Sequence, residues 1–313
     1  MLLDQENVFK LLRCPKSGEV LKLVNNKLII ENNEKTYEYG LIHKKPILIN
    51  FENSVIDKQD VLQAAPIISR NKYAGPLGIA KRLVSPTVKI TDENISYLIN
   101  NLLKHKENPR ILIVGGGSVG GGMESLYEES GIELVSFDIY NSPFVQFIAD
   151  AHSIPLPDLS FDAVIVQAVL EHVLEPSTVV REVYRVLKTN GFVYAETPFL
   201  QNVHEGAYDF TRYTDSGHRY LFRDFKLINS GVSTGAGTQL LWSLDFFIRG
   251  VFRSKMAGKT VKLLLFWIKY FDKLIPNSYN IDSASGLFFL GKKDENQSVL
   301  SVKNIVSYYK GAQ

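Results

Sequence analysis

Cysteine occurs once in the 313 residues, as Cys14. One thiol excludes an intramolecular disulfide and any four-thiolate zinc site, and a reducing compartment, the cytoplasm, is the expected setting. Long apolar runs are also lacking: no stretch offers the ~18 uncharged, strongly apolar residues of a membrane-spanning helix. Charge of one sign is missing too. The 35 Lys and Arg against 33 Asp and Glu leave a formal net charge of +2, so no global field draws the protein onto nucleic acid. The amino terminus acquires Asp4, Glu6 and Lys10 before an apolar run develops, unlike a secretory signal, and reads as unprocessed. What is present is ordinary globular material, 45% hydrophobic and 22% charged, long enough for a main domain with a smaller companion.

Residues 12–50 alternate short apolar runs with turn signals such as Lys16-Ser17-Gly18, Asn25-Asn26 and Asn32-Asn33. That texture predicts a small β-rich domain over 1–52. Residues 53–90 carry Pro66, Pro76 and Pro86 and read as a linker with short helical pieces. Thr91-Asp92-Glu93 then caps an amphipathic helix with Ile95, Leu98, Ile99 and Leu102 at helical spacing.

From there the chain alternates continuous apolar strands with helices: strands at 111–114, 134–137, 144–148, 163–166 and 192–195, helices at 123–130 and 177–187. Strands without polar alternation are buried on both faces, so the expected fold is α/β, a Rossmann-like, doubly wound, mainly parallel sheet. The domain spans 91–295, interrupted at about 236–280 by an apolar helical insertion and followed by a tail over 296–313. In the 177–187 helix Val179, Val180, Val183 and Val186 make the inward stripe, and Gly191 is expected to provide the left-handed exit.

Gly115, Gly117 and Gly120 form a glycine-rich turn directly after the first of these strands. Glycine lets backbone approach a ligand closely, and the following amides are free to bind it. Nucleotide dehydrogenases share this spacing, so the turn alone leaves the cofactor open. Asp138 ends the next strand, where a carboxylate accepts hydrogen bonds from ribose hydroxyls.

The ordered set of glycine turn, Asp138, the string from Ala149 to Pro157, and Gln167-Ala-Val-Leu-Glu-His-Val173 resembles class I S-adenosylmethionine-dependent methyltransferases. The similarity is to the group related to ubiquinone and menaquinone biosynthesis methyltransferases, of the type 11 domain, over residues 110–230. It implies S-adenosylmethionine as cofactor, Asp150 on the adenine amino group, the Ala151 amide at the ring, and Gln167, Glu171 and His172 around the methionine portion. The first fifty residues resemble the zinc-ribbon-like domain that precedes many bacterial methyltransferases. Ser17 stands where a second thiolate ligand would be, so no metal is expected.

Residues 197–214 follow the fifth strand, where such sheets bind ligands. Their Pro-Phe, His, Tyr-Asp-Phe and Arg-Tyr-Thr pattern resembles bacterial methyltransferases associated with surface glycans. His204 is the expected base, with Glu205, Tyr208, Asp209 and Arg212 as acceptor contacts; Thr214 reads as a helix cap. The expected reaction is direct methyl transfer to an acceptor such as a saccharide or small-metabolite hydroxyl. Two other readings stay open: a non-catalytic scaffold or activator, and a nicotinamide-dependent oxidoreductase. Residues 240–275 combine bulky apolar residues with Arg249, Arg253, Lys269 and Lys273, which suits a lid, a homo-oligomer interface or a helix lying on the inner membrane surface.

Overall fold

Asp4 starts the first helix, α1 (Gln5–Leu11), by accepting a hydrogen bond from the Asn7 amide at 2.9 Å, which satisfies one of the free donors of the first turn. The computed structural model describes residues 1–25, 27–31, 36–62, 84–86, 88–296 and 299–313. Most of the expected linker, with Pro66 and Pro76, and the Asn32-Asn33 turn lie outside the described residues. Three short strands, β1 (Lys22–Val24), β2 (Lys27–Glu31) and β3 (Thr36–Tyr39), form an antiparallel sheet. The Cys14 thiol is buried beside it, 3.1 Å from the Tyr39 hydroxyl.

The expected domain break at residue 52 is corrected by strand pairing. After the short β4 (Leu41–Ile42), β5 (Lys45–Leu48) pairs in parallel with Phe147–Ala149 of the main sheet, Ile47 opposite Ile148. Val8, Leu12, Leu28 and Leu48 share one buried cluster with Leu112, Val135 and Phe147. The terminal ammonium donates to the carbonyls of Glu129 and Ile132. An apolar run that finds its partner a hundred residues away cannot end a separate domain.

A short helix α2 (Lys58–Leu62) precedes the main α/β body. In chain order this comprises α3 (Lys89–His105), β6 (Arg110–Val114), α4 (Glu124–Glu128), β7 (Glu133–Asp138), β8 (Phe147–Ala149), β9 (Phe161–Gln167), α5 (Pro176–Val186), β10 (Leu187–Pro198), α6 (Asp215–Leu221) and β11 (Lys226–Thr234). The insertion comes next as α7 (Ala236–Phe252), α8 (Lys255–Leu264), a 3-10 stretch (Phe266–Lys273) and α9 (Asn277–Asp282). The chain then closes with β12 (Gly286–Lys292) and α10 (Val302–Val306).

The nine-stranded sheet runs β11-β12-β10-β9-β6-β7-β8-β5-β4. Strands β10, β9, β6, β7, β8 and β5 run parallel to one another, β4 pairs antiparallel with β5, and β12 enters antiparallel between β10 and β11. This is the doubly wound arrangement expected, with the strand order reversing between β6 and β9. Side-chain alternation explains why Ile111–Val114 is apolar at every position. Ile111 and Ile113 pack with Ile95, Leu98 and Leu102 of α3, while Leu112 and Val114 pack in the layer of Val179, Val183 and Val186 of α5.

Three local expectations are revised. α3 begins at Lys89, so Thr91 is a buried first-turn residue, not the cap; its hydroxyl donates to Glu196 at 2.6 Å. The strand expected at 144–148 is only Phe147–Ala149. The Gln146 side chain occupies the preceding positions, accepting from the Ser136 amide and donating to the carbonyls of Leu3 and Leu134. The left-handed residue after α5 is Asn190, at φ 67°, one position before Gly191, and it follows the extended Leu187 at which α5 ends.

Asp162 ties the layers together at the start of β9. It accepts from Lys106 at the end of α3, from Lys188 after α5, and from the Arg110 amide at 2.8 Å. Burial opposes ionisation, but these bonds outweigh it and hold its carboxyl below the usual range. A depressed folded pKa contributes stability above the unfolded value, and that stability is lost as pH falls through the folded one. Asp162→Asn is therefore expected to lower unfolding free energy at neutral pH by about 1–3 kcal/mol. Urea titrations at descending pH should show the gap between variant and wild type closing in acid; a gap independent of pH would refute this role.

Candidate functional site

Where the strand order reverses, the carboxyl ends of β6, β7, β8 and β9 open into a cleft of about 800 Å³, solvent at its mouth included. Gly115, Asp138, Asp150, Ala151, His172, Glu205 and Tyr208 line it, so seven of the sequence-predicted residues meet in one place. Apolar side chains, among them Val114, Phe137, Ile139, Val169 and Val173, make up much of the remaining wall, with Tyr140 and His152.

The glycine turn is shaped by what lies against it. Gly115 has φ 72°, and a Cβ there would come 2.3 Å from a methyl of Val169. The Gly117 amide donates to Asp138 at 2.7 Å, and a Cβ on Gly117 would stand 2.6 Å from that carboxylate and 2.3 Å from the Tyr140 hydroxyl. Asp138 accepts on its other oxygen from the Ile139 amide.

Asp150, at the end of β8, accepts from the His152 ring at 2.6 Å, from the His152 amide at 3.0 Å, and from the Ser54 hydroxyl. Burial disfavours its charge, yet these bonds prevail and its pKa lies below the ordinary value. Ser54 comes from the amino-terminal region, and its neighbours Val55 and Ile56 line the same end of the cleft. Sequence reading missed Ser54, Val55, Ile56, Tyr140 and His152. Only the last two carried a signal, Tyr140 two residues after Asp138 and His152 two after Asp150.

At the opposite end, Glu171 is buried in a 3-10 turn (Leu170–His172) after β9. Its carbonyl accepts from the Phe210 amide at 2.8 Å and the Thr211 amide at 3.3 Å, which fastens the 199–214 loop. Its carboxyl lies 3.6 Å from His172 Nε2 and 3.8 Å from His204 Nε2. Burial pushes the carboxyl up to about 8 and lowers the His172 imidazole. His172 Nδ1 donates to the Tyr208 carbonyl at 2.6 Å, and the His172 and His204 rings stand edge to face at 5.0 Å.

Other predicted residues are braced by partners within the protein. Gln167 donates to the Gly121 carbonyl and to Glu196, and a Cβ on Gly120 would collide with it. Asp209 and Arg212 form an ion-paired clamp within the 199–214 loop. Arg212 gives two donors to Asp209 and others to the carbonyls of Gln201 and Thr211. Burial resists the charge on Asp209, but Arg212 and the His204 amide hold it down to about 2. Thr214 caps α6 as expected. None of the cleft-lining residues comes from the insertion, so the structure gives no support to its reading as a lid.

A family model described as a methyltransferase domain matches residues 117–195. A search of the curated proteins found no match. Among solved structures, this chain is similar to a putative sarcosine dimethylglycine methyltransferase from Galdieria sulphuraria, at 14% identity, 66% of this chain, 86% of that one and TM-score 0.43. It is also similar to a Haloferax volcanii complex of the Trm112 methyltransferase activator with a putative methyltransferase, at 17%, 66%, 94% and 0.41. A Haemonchus contortus phosphoethanolamine N-methyltransferase 2 with S-adenosyl-L-methionine shares 16% identity over 83% of this chain and 63% of that one, TM-score 0.44. The matched domain, together with the doubly wound sheet, defines the class: an S-adenosylmethionine-dependent methyltransferase.

The close approach at Gly117 can be tested directly. Gly117→Ala is expected to weaken S-adenosylhomocysteine binding by about 10-fold or more, at ~1.4 kcal/mol per decade, because the Asp138 bond cannot survive the added carbon. Gly231→Ala, where a Cβ meets only Phe288 at 3.5 Å, should leave calorimetric affinity unchanged. Equal affinities in the two variants would remove the glycine-turn assignment.

Proposed function

We propose that this enzyme transfers the methyl group of S-adenosylmethionine to a hydroxyl of a saccharide or small-metabolite acceptor, seated against Glu205 and Tyr208. The observation that carries this reading is the Glu171, His172 and His204 cluster beside those cleft residues. Asp138 takes the ribose hydroxyls, Asp150 and the Ala151 amide take the adenine, and the Val169–Val173 turn borders the sulfonium.

In the reaction an acceptor oxygen lone pair forms the new O–C bond while the C–S bond breaks and its electron pair stays on sulfur, leaving S-adenosylhomocysteine. The acceptor proton passes to His204 Nε2. Alignment behind the methyl carbon is the enzyme's main contribution, up to roughly 7–11 kcal/mol in favourable cases. A positioned base adds about 100- to 10,000-fold. His204→Ala should accordingly slow methyl transfer by about that factor while S-adenosylhomocysteine affinity, read by calorimetry, stays within twofold. Undiminished turnover in the variant would dismiss His204 from proton transfer.

The insertion supports a second part of the reading, contact with the cytoplasmic face of a membrane. Phe247, Phe252, Met256, Leu264 and Leu274 are each at least 65% exposed, interleaved in sequence with Arg253, Lys255, Lys259 and Lys273. No helix among the described residues is long and apolar enough to cross a membrane, whereas interfacial helices need only one apolar face with basic residues at the headgroups. Sedimentation with anionic liposomes should pellet the protein, and Phe247→Glu with Phe252→Glu should release it. Recovery of wild type in the supernatant, with a dimer by light scattering, would assign the face to self-association.

A further inference from the structure

Three side chains with metal-ligating atoms converge where the β9 turn meets the 199–214 loop. Glu171, His172 and His204 place one ligand atom each within 4.8 Å of one another. The hydrogen bonds around them decide which atoms face inward. His172 Nδ1 is 2.6 Å from the Tyr208 carbonyl oxygen, which only accepts, so the ring proton sits on Nδ1 and the Nε2 lone pair points toward Glu171. His204 presents Nδ1 to the Asn202 carbonyl at 3.4 Å and to the Asp209 carboxylate at 3.4 Å, and turns Nε2 to the same Glu171 oxygen. A carbonyl or carboxylate behind each imidazole is how proteins fix the tautomer of a metal-bound histidine.

A second observation is independent of the ring geometry. The Glu171 side chain is 1% exposed, and its Oε2 is buried without a hydrogen-bond partner. An acid sealed from water with one oxygen unpaired and the other facing two lone pairs lacks a cation or a proton at that point. The spans fit a cation. Zinc at 2.0–2.1 Å from each ligand in a tetrahedron sets ligand atoms roughly 3.3–3.5 Å apart, against 3.6 and 3.8 Å from Glu171 to the two imidazoles.

We propose that Glu171, His172 and His204 form a divalent transition-metal site of the zinc type, with its open coordination position toward the cleft at His172. Two histidines and one glutamate are a donor set for zinc that leaves the fourth position for water or an acceptor oxygen. The expectation that this chain holds no metal is thereby reversed for this cluster. A bound ion occupies the Nε2 lone pair of His204, so the residue serves as ligand or as base, not both at once. The purpose of the ion, orienting the acceptor oxygen, rests on the proposed methyl transfer to a hydroxyl; ion binding itself does not.

The test uses the full chain, stripped with a chelator and dialysed. Zinc is titrated by calorimetry and cobalt by visible absorption, with S-adenosylhomocysteine titrated in parallel. Wild type should bind one zinc per chain, and cobalt should give the absorption of a site with nitrogen and oxygen ligands. Glu171→Gln should lose zinc affinity by about 100-fold, and Asp209→Asn, acting through His204, by about 10- to 100-fold. Should Glu171→Gln fail to fold, His204→Ala, on a surface loop, is expected to show the same loss with homocysteine-product binding retained. Absence of saturable zinc and cobalt binding in wild type, or unchanged affinity in the folded ligand variants, would overturn the site. Zinc binding without S-adenosylhomocysteine binding would leave the metal site standing and count instead against the methyltransferase reading.

Discussion

Glu171 joins the two halves of the cleft. Its carbonyl is the acceptor for the Phe210 and Thr211 amides, and these are the bonds that bring the 199–214 loop onto the turn after β9. With the bond from His172 Nδ1 to the Tyr208 carbonyl, they fix Glu205 and Tyr208 opposite His172. The same residue places its carboxyl between two imidazoles, at 3.6 and 3.8 Å. Its burial is costly, since a desolvated acid with an unpaired oxygen forfeits hydration that nothing among the described residues returns. A structural role for the backbone alone needs no acid here, because any residue supplies a carbonyl. The side chain is therefore the part that calls for a chemical explanation.

The cofactor end obeys a different logic. Asp138 and the Gly117 amide fix each other across the ends of β6 and β7, so the turn is set by a carboxylate that also faces the ligand space. Gln167, Glu196, Tyr194 and Thr91 then form a buried polar chain behind it: Gln167 and Thr91 donate to opposite oxygens of Glu196, and the Tyr194 hydroxyl donates to it as well. Gln167 reaches from this chain to the Gly121 carbonyl. The network holds the glycine turn against α3 and β10 from the side away from the ligand, which is why Gln167 adjoins the cleft in sequence but not in space.

Much of this was legible in the residues. Continuous apolar strands between amphipathic helices give a covered parallel sheet because alternate side chains serve opposite layers, as Ile111 and Leu112 do. The positions of Asp138 and Asp150 came from strand ends, and Thr214 from capping chemistry. The failures share one cause. A parallel pairing such as Ile47 with Ile148, or a contact such as Ser54 with Asp150, joins residues about a hundred positions apart and leaves no local periodicity. Nor does local periodicity show that Arg212 and Asp209, three residues apart on one loop, pair with each other while carbonyls take further donors.

The place of Ser54 bears on how the cleft works as a whole. Asp150 already accepts three hydrogen bonds, two from His152 and one from Ser54, so in the proposed role an adenine amino group would share that carboxylate or displace one of them. His152 is the less replaceable partner, because its Nε2 also accepts from the Glu175 amide at the start of α5. Ser54 sits on the segment between β5 and α2 and, among the described residues, has only the Ile56 amide as a further bond, at 3.3 Å. Displacement at Asp150 therefore falls on the Ser54 side, where Val55 and Ile56 form the adjoining wall. The amino-terminal region, anchored through β5 and the terminal ammonium, supplies the cleft with its most easily exchanged contact.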